Sequence, residues 1–276
     1  MSKGIAGIRN ALLSRTMLRA IISVVVFLVV WEIGSRSKQW LGFTVPWVGH
    51  VPAPTAVLTA WLRLLADLGY WQSWYMSLIR VLAGFVAAMI IGIPLGLLMA
   101  VSKTFNGIGF PTFEVLRPIP PLAWVPASII FWPTQELSIA FVTFLGAFFT
   151  VVINVVGGAK SIDVRYFQAA QALGSSQWDI FRRIVLPGTV PSIVVGASVG
   201  MGITWNVVVA AEMISGGGSQ AGGSGGGLGF LIWNSYVGGS YEQIVVGMIS
   251  IGIAGYLCSE TLRRAGIVFT PWLRSR

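Results

Sequence analysis

Charge is scarce in this sequence. Only 10% of its 276 residues are Asp, Glu, Lys or Arg, against about a quarter in an ordinary soluble domain, which excludes a chain solvated by water over its whole surface. The single cysteine, Cys258, excludes an internal disulfide and reads as a small buried thiol within an apolar run. With one histidine, His50 in a Pro/Gly-rich loop, a multi-ligand zinc site of the usual kind is excluded. The nine carboxylates are scattered, with no histidine or metal ligands beside them, so no catalytic set for a membrane-embedded hydrolase emerges. Glu114, Glu136, Glu212, Glu242 and Glu260 fall near the ends of the apolar runs, whereas an ion-coupled carrier usually needs an ionisable group near the bilayer midplane. The run SGGGSQAGGSGGGLGF (215–230) lacks the Gly-Lys-Ser/Thr ending of a phosphate loop and reads as a flexible external connection.

Apolar residues are abundant instead, at 55% of the chain with a mean hydropathy of +0.80. A hydrocarbon core about 30 Å thick needs about 20 mostly apolar helical residues. Six stretches qualify: 18–34, 81–101, 114–132, 136–157, 190–212 and 243–262. The expectation is an all-α polytopic membrane protein with six transmembrane helices. No small-x-small cleavage pattern follows Trp31, and Glu32 interrupts the run, so the first stretch reads as a retained helix rather than a signal peptide.

The 18 Lys and Arg against 9 Asp and Glu fall beside apolar runs and do not interleave with aromatics, which argues against a nucleic-acid partner. They cluster at the N-terminus, at 158–187 and at the C-terminus, while 133–136 and 213–242 carry none. The positive-inside rule then places both termini and 158–187 in the cytoplasm. Four basic residues in 35–80 land outside, where long segments follow the rule weakly. The expected organisation is a basic N-terminus (1–17), a first span (18–34), an external loop with an interfacial helix (35–80), a five-helix core (81–262) and a basic tail (263–276).

One polar stretch interrupts the core, QAAQALGSSQWDIFRRIVLP (168–187). Asp163 is a candidate N-cap for a helix over Val164–Leu173, and Gly174 stands at its left-handed stop position. Ser176 and Asp179 have capping-box spacing. Trp178, Phe181, Ile184 and Val185 then share one helical face, with Gln177, Arg182 and Arg183 off it. Pro187 is expected to stop this helix and Pro191 to open the next span. Pattern alone leaves two readings of this hairpin open: a pair of helices lying on the lipid, or a socket for another protein. Elsewhere, Gly92 with Gly96 and Gly196 with Gly200 offer close helix contacts. Pro94 and the prolines of LRPIPPLAWVP (116–126) predict broken or kinked helices, which hint at a pathway.

Gln168-Ala169-Ala170, then Gly174, then Ile184-x-Leu186-Pro187 resemble the Glu-Ala-Ala loop of bacterial ABC importer permeases, with Gln168 in place of the usual Glu. LRPIPPLAWVP (116–126), and AAEMI (210–214) followed by Gly227-Leu228-Gly229, are similar to the branch that imports taurine, other sulfonates, nitrate and bicarbonate. The resemblance covers roughly residues 50–260. It implies a non-catalytic permease of the bacterial inner membrane, whose hairpin at 162–187 couples to cytoplasmic ATP-binding subunits. In it Trp178, Phe181 and Ile184 would anchor in the partner's groove, with Arg182 or Arg183 at its rim. It further implies a second copy of the permease, a periplasmic or lipid-anchored binding protein, and ATP and Mg bound by the ATPase, with no cofactor on this chain. Candidate path residues are Arg80 at the outer mouth, Arg117 at the inner mouth, Pro120, Pro121 and Glu212. Read without the resemblance, the two arginines are headgroup anchors and the span-end carboxylates snorkel. A secondary carrier and a membrane scaffold without ATPase coupling are the competing functions.

Overall fold

A computed structural model describes residues 15–37, 48–215 and 226–270, with Gly42 and Pro46 between the first two segments. The helices are α1 (Arg15–Ser35), α2 (Pro54–Leu65), α3 (Leu68–Val101), α4 (Lys103–Leu116), α5 (Val125–Phe131), α6 (Gln135–Lys160), α7 (Val164–Ala172), α8 (Gln177–Ile180), α9 (Leu186–Ser215), α10 (Leu228–Val237) and α11 (Tyr241–Phe269). A 3-10 turn (Pro121–Trp124) precedes α5, and a π turn (Phe181–Val185) joins α8 to α9. Among the described residues, five helical stretches are long and apolar enough to cross a membrane: Met17–Ser35, Leu68–Val101, Gln135–Lys160, Gln177–Ile214 and Tyr241–Val268. The expected all-α membrane architecture holds.

The chain forms two compact units, one of the described residues up to Asp67 with Ser235–Val246, the other of Leu68–Asn234 and the chain from Gly247. In the first unit α1 exposes its apolar residues throughout, as a helix surrounded by lipid does. Near its end Glu32 holds Arg36 at 2.6 Å and accepts from the Thr55 backbone N–H at 3.2 Å, pinning the first turn of α2.

The second unit is built around α6, and glycine sets its two contacts. Small residues recur every fourth position on α3, at Gly84, Ala88, Gly92 and Gly96, and this stripe lies against α6. A Cβ on Gly84 would stand 2.7 Å from the Phe144 backbone nitrogen, and one on Gly96 would stand 2.8 Å from Val155 Cβ. On an adjoining face of α6, a Cβ on Gly196 of α9 would stand 2.8 Å from Asn154 Cβ, and one on Gly200 3.5 Å from Ala147. The expected glycine pairs therefore do bring backbones together, which is how helices associate where lipid removes the hydrophobic drive. Val142, Val151, Val152 and Val155 of α6 are almost wholly buried as a result. Buried threonines return their bonds to their own helix, as Thr204 Oγ1 does to the Gly200 carbonyl at 2.8 Å.

Three expectations need correction. The 81–101 span is the last 21 residues of a 34-residue helix, because no proline stands between Leu68 and Pro94, so residues 68–80 are helical and continuous with it. The 114–132 span is not one helix. α4 ends at Leu116, and Pro118, Pro120, Pro121 and Pro126 remove donors and push preceding residues out of the α region, leaving the 3-10 turn and the 7-residue α5. Together these pieces still run the length of α6, since Lys160 Nζ donates to Asn106 Oδ1 at 3.0 Å at one end and Ser138 Oγ to the Ser128 carbonyl at 2.9 Å at the other. Finally, Pro187 does not stop its helix, as Gln177–Ile214 is continuous. The π turn just before it shifts the ladder, with Leu186 N–H reaching the Phe181 carbonyl, so position 187 needs no donor.

Gly96→Val should cost about 1–3 kcal/mol of stability through overpacking against Val155. Gly252→Val, where a Cβ meets nothing within 4 Å, should cost far less, and thermal melting of the purified protein checks the contrast.

Candidate functional site

Two constellations stand out, one at each end of α6. The first is the hairpin. Asp163 caps α7, its carboxylate accepting from the Arg165 N–H at 2.9 Å. At the other end Ser175 N–H donates to the Ala170 carbonyl and Gly174 N–H to the Gln171 carbonyl, both at 3.0 Å, with Gly174 at φ 76°. This is the Schellman closure, and it requires the left-handed glycine. Ser176 then caps α8, its Oγ accepting from the Asp179 N–H at 3.2 Å and donating to Asp179 Oδ2 at 2.5 Å. A full capping box would have the acid reach the Ser176 backbone. Asp is one methylene shorter than Glu and takes the hydroxyl instead.

The expected apolar face is split between this chain and its surroundings. Ile180 and Val185 are buried, Phe181 and Ile184 half-buried, and Trp178 exposed while stacked on Phe181 at 5.5 Å between ring centres. A cavity of about 630 Å³ lies between this face and the end of α3, lined by Leu98, Val101, Phe167, Trp178, Phe181 and Val185. Gln168, Ala169, Arg182, Arg183 and Leu186 are exposed, Ala170 and Pro187 half-buried. Leu173 at 85% and Tyr166 at 61% exposure protrude as well. Sequence reasoning passed over both, although an apolar residue on the stop turn of a polar helix is a visible signal.

The second constellation centres on a buried ion pair, with Glu136 exposed at its edge. Arg80 on α3, 3% exposed, reaches Glu212 on α9, 0% exposed, with Nη1 to Oε1 at 3.0 Å. Its Nε donates to Glu136 Oε2 at 2.8 Å, and its Nη2 to the other Glu136 oxygen. Ser77, one turn before Arg80, donates to Glu212 Oε1 at 2.8 Å and accepts from the Leu228 N–H at 2.8 Å. Gly229 N–H donates to Glu212 Oε2 at 2.9 Å. The carboxylate thus sits at the N-terminus of α10, where free N–H groups and the helix dipole favour an anion. A Cβ on Gly227 would overlap this carboxylate, and one on Gly229 would overlap the Val209 carbonyl. One packing unit therefore explains why AAEMI and Gly-Leu-Gly occur together.

This placement overturns the expectation of headgroup-anchoring for Arg80 and of snorkelling for Glu212. Position 80 lies well inside a continuous helix, and protein rather than lipid surrounds it. Glu136 and Ser77, unnamed as site residues from the sequence, complete the cluster. A lone Arg and a lone Glu in two apolar runs was the available signal, since such groups pair. The structure does not bring Arg117, Pro120 or Pro121 to it. Arg117 is exposed and pairs with Glu114 at 3.5 Å. Phe113, one turn before it, packs on Phe149 at 5.3 Å, and Trp124 after it packs on Phe141 at 6.5 Å, so Arg117 falls beside the middle of α6.

Arg80→Met leaves the Glu212 carboxylate buried without its cation and should cost about 3–5 kcal/mol. Adding Glu212→Gln should recover part of that loss, a non-additivity that melting of the four variants in a double-mutant cycle measures.

Residues 92–272 match the family described as binding-protein-dependent transport system inner membrane component. The nitrate import permease protein NrtB of Synechocystis is 34% identical over 253 residues, covering 88% of this chain and 86% of that one. The taurine transport system permease protein TauC of Escherichia coli is 31% identical over 267 residues, covering 94% and 91%. A putative ABC transporter permease of Methanocaldococcus jannaschii is 40% identical over 197 residues, 71% of each chain. Among solved structures, a bacterial ABC transporter that imports the polysaccharide alginate aligns over 96% of this chain and 98% of that one, with TM-score 0.58 at 16% identity. A chain of the MetNI methionine ABC transporter aligns over 75% and 96%, with TM-score 0.56 at 23% identity.

Proposed function

Since the chain belongs to the binding-protein-dependent transport system inner membrane components, we propose that it is the membrane subunit of an ATP-driven importer and carries a small oxyanion. The relatives named for nitrate, taurine and bicarbonate transport support the anion class. The observation that carries the coupling role is the hairpin itself. Its capped turn fixes two short helices rigidly, yet leaves Leu173, Trp178 and Tyr166 exposed beside Arg182 and Arg183. Apolar knobs rimmed by charge suit a protein groove better than water.

In this reading the permease has six crossings, five by long helices and the sixth by the broken run from α4 to α5, with both termini and the hairpin in the cytoplasm. It works as a homodimer in a bacterial inner membrane. Cytoplasmic ATP-binding subunits, which hold the ATP and Mg, dock on residues 162–187, and a periplasmic or lipid-anchored binding protein delivers the solute. The chain itself is not catalytic and binds no cofactor. Closure of the ATPase dimer pushes on α7 and α8, and the continuous Gln177–Ile214 helix conveys that push as a rigid strut toward the Arg80–Glu212 cluster. Alternating access follows as rocking of the two halves. Gln168 offers its partner an amide where the resemblance leads one to expect a carboxylate, so any contact there is a neutral hydrogen bond. Arg80 and Glu212 act as the strut's outer anchorage, with Arg117, Pro120 and Pro121 along the path.

Gly174→Val puts a β-branched residue at φ 76°, which such residues rarely tolerate, whereas Gly174→Asn keeps the left-handed turn. Co-purification of the ATP-binding subunits from a membrane extract should be lost for the first and kept for the second. ATP-driven nitrate uptake into vesicles holding the complete complex tests the transport role. Loss of partner binding by neither variant would return the hairpin to a lipid-surface role.

A further inference from the structure

Along the apolar stretches 82–101 of α3 and 190–212 of α9, one exposed position is polar. On α3 every exposed residue from Leu82 to Val101 is apolar. On α9 the exposed positions between 190 and 212 are Val195, Val199 and Asn206. No hydrogen bond of the Asn206 amide is found among the described residues. An amide left in hydrocarbon without a partner is costly, so such groups face protein or a water-filled space.

Its depth can be read from the packing. A Cβ on Gly146 would stand 3.2 Å from Val207 Cγ2 and 3.6 Å from Thr204 Cα, so residues 204–207 lie level with position 146. α6 runs from Gln135 to Lys160, and position 146 is within two residues of its middle. Arg117 falls at the same depth, between the levels of Phe149 and Phe141. Its side chain is 43% exposed, and it pairs with Glu114, itself 38% exposed. A guanidinium at mid-depth is too far from either headgroup region to snorkel, roughly 15 Å against a reach of about 7 Å. The 3-10 turn that begins four residues after Arg117 touches both α6 and α9.

We infer that Arg117 and Asn206 form a solute-reading level halfway along the translocation path, where a guanidinium and an amide N–H take up a small oxyanion. This rests on the importer reading above. The guanidinium supplies charge selectivity and the amide a directional donor. Glu114, 3.5 Å from Arg117, tempers the field, which suits a site that must release as readily as it binds. Two copies of the chain would present the pair twice around one path.

The test uses the complete complex in proteoliposomes, with Cys258→Ser as background and Asn206→Cys as the probe. Anionic and cationic water-soluble thiosulfonates of equal size are compared with a lipid-soluble maleimide. The expected result is reaction with both water-soluble reagents, faster for the anionic one. Arg117→Gln should lower that preference about three- to tenfold, as loss of a nearby unit charge in a partly desolvated site requires. Arg117→Lys should keep the preference, which guards against a merely misfolded variant. Reaction with the maleimide alone would place Asn206 against lipid, and reaction with no reagent would place it in a dry contact, either of which overturns the inference. An unchanged preference in Arg117→Gln overturns it too. ATP-driven nitrate uptake by the unsubstituted complex is read separately. Its failure counts against the importer reading, while the labelling pattern still decides whether these positions line an aqueous path.

Discussion

The close approach of α3 and α9 to α6 is the constraint on which the remaining structure hangs. In a bilayer, lipid is as apolar as leucine, so helices hold together by contact rather than by exclusion of water. Glycine and alanine every fourth residue on α3, and glycine at 196 and 200 on α9, let backbones approach to a separation that no larger side chain allows. That spacing fixes the rotation of both helices about their axes. Once rotation is fixed, Arg80 on one and Glu212 on the other can only face each other.

The charge cluster shows what this fixed geometry makes affordable. Burying a guanidinium and a carboxylate is favourable only when every donor and acceptor is met. Here Ser77, Glu136 and two backbone N–H groups at the start of α10 complete the set. The bare backbone of Gly227 and Gly229 is what lets α10 come close enough to contribute. The cluster joins four helices at one end of α6, and the hairpin continues α9 at the other. One continuous helix therefore joins the hairpin to a polar cluster.

Proline had two outcomes in the same chain. At 118, 120, 121 and 126 it broke a span into pieces, since four such residues in nine leave no stretch able to form a helical ladder. At 94 and 191 the helix ran through it, and at 187 a π turn had already displaced the hydrogen bond that proline cannot make. Counting prolines predicts breakage only where they are dense. A single one is decided by whether the neighbouring ladder can shift.

The sequence by itself determined the elements that depend on local chemistry or solvent. Apolar runs gave the helical membrane class. Asp163, Gly174 and Ser176 gave the hairpin and its turn, because caps and left-handed positions are read from a few adjacent residues. The glycine pairs correctly marked close contacts. Which residues those contacts bring together was left to the tertiary structure. Arg80, Glu136 and Glu212 lie far apart in the chain and look like separate span-end charges, and no spacing rule joins them. Arg117 reads from the sequence as an inner-mouth residue at the start of a span. Only the packing of Phe113 and Trp124 on α6 sets its depth. Local propensity is a property of neighbours in sequence, whereas burial and depth are set by helices distant in sequence, and for those the three-dimensional packing was decisive.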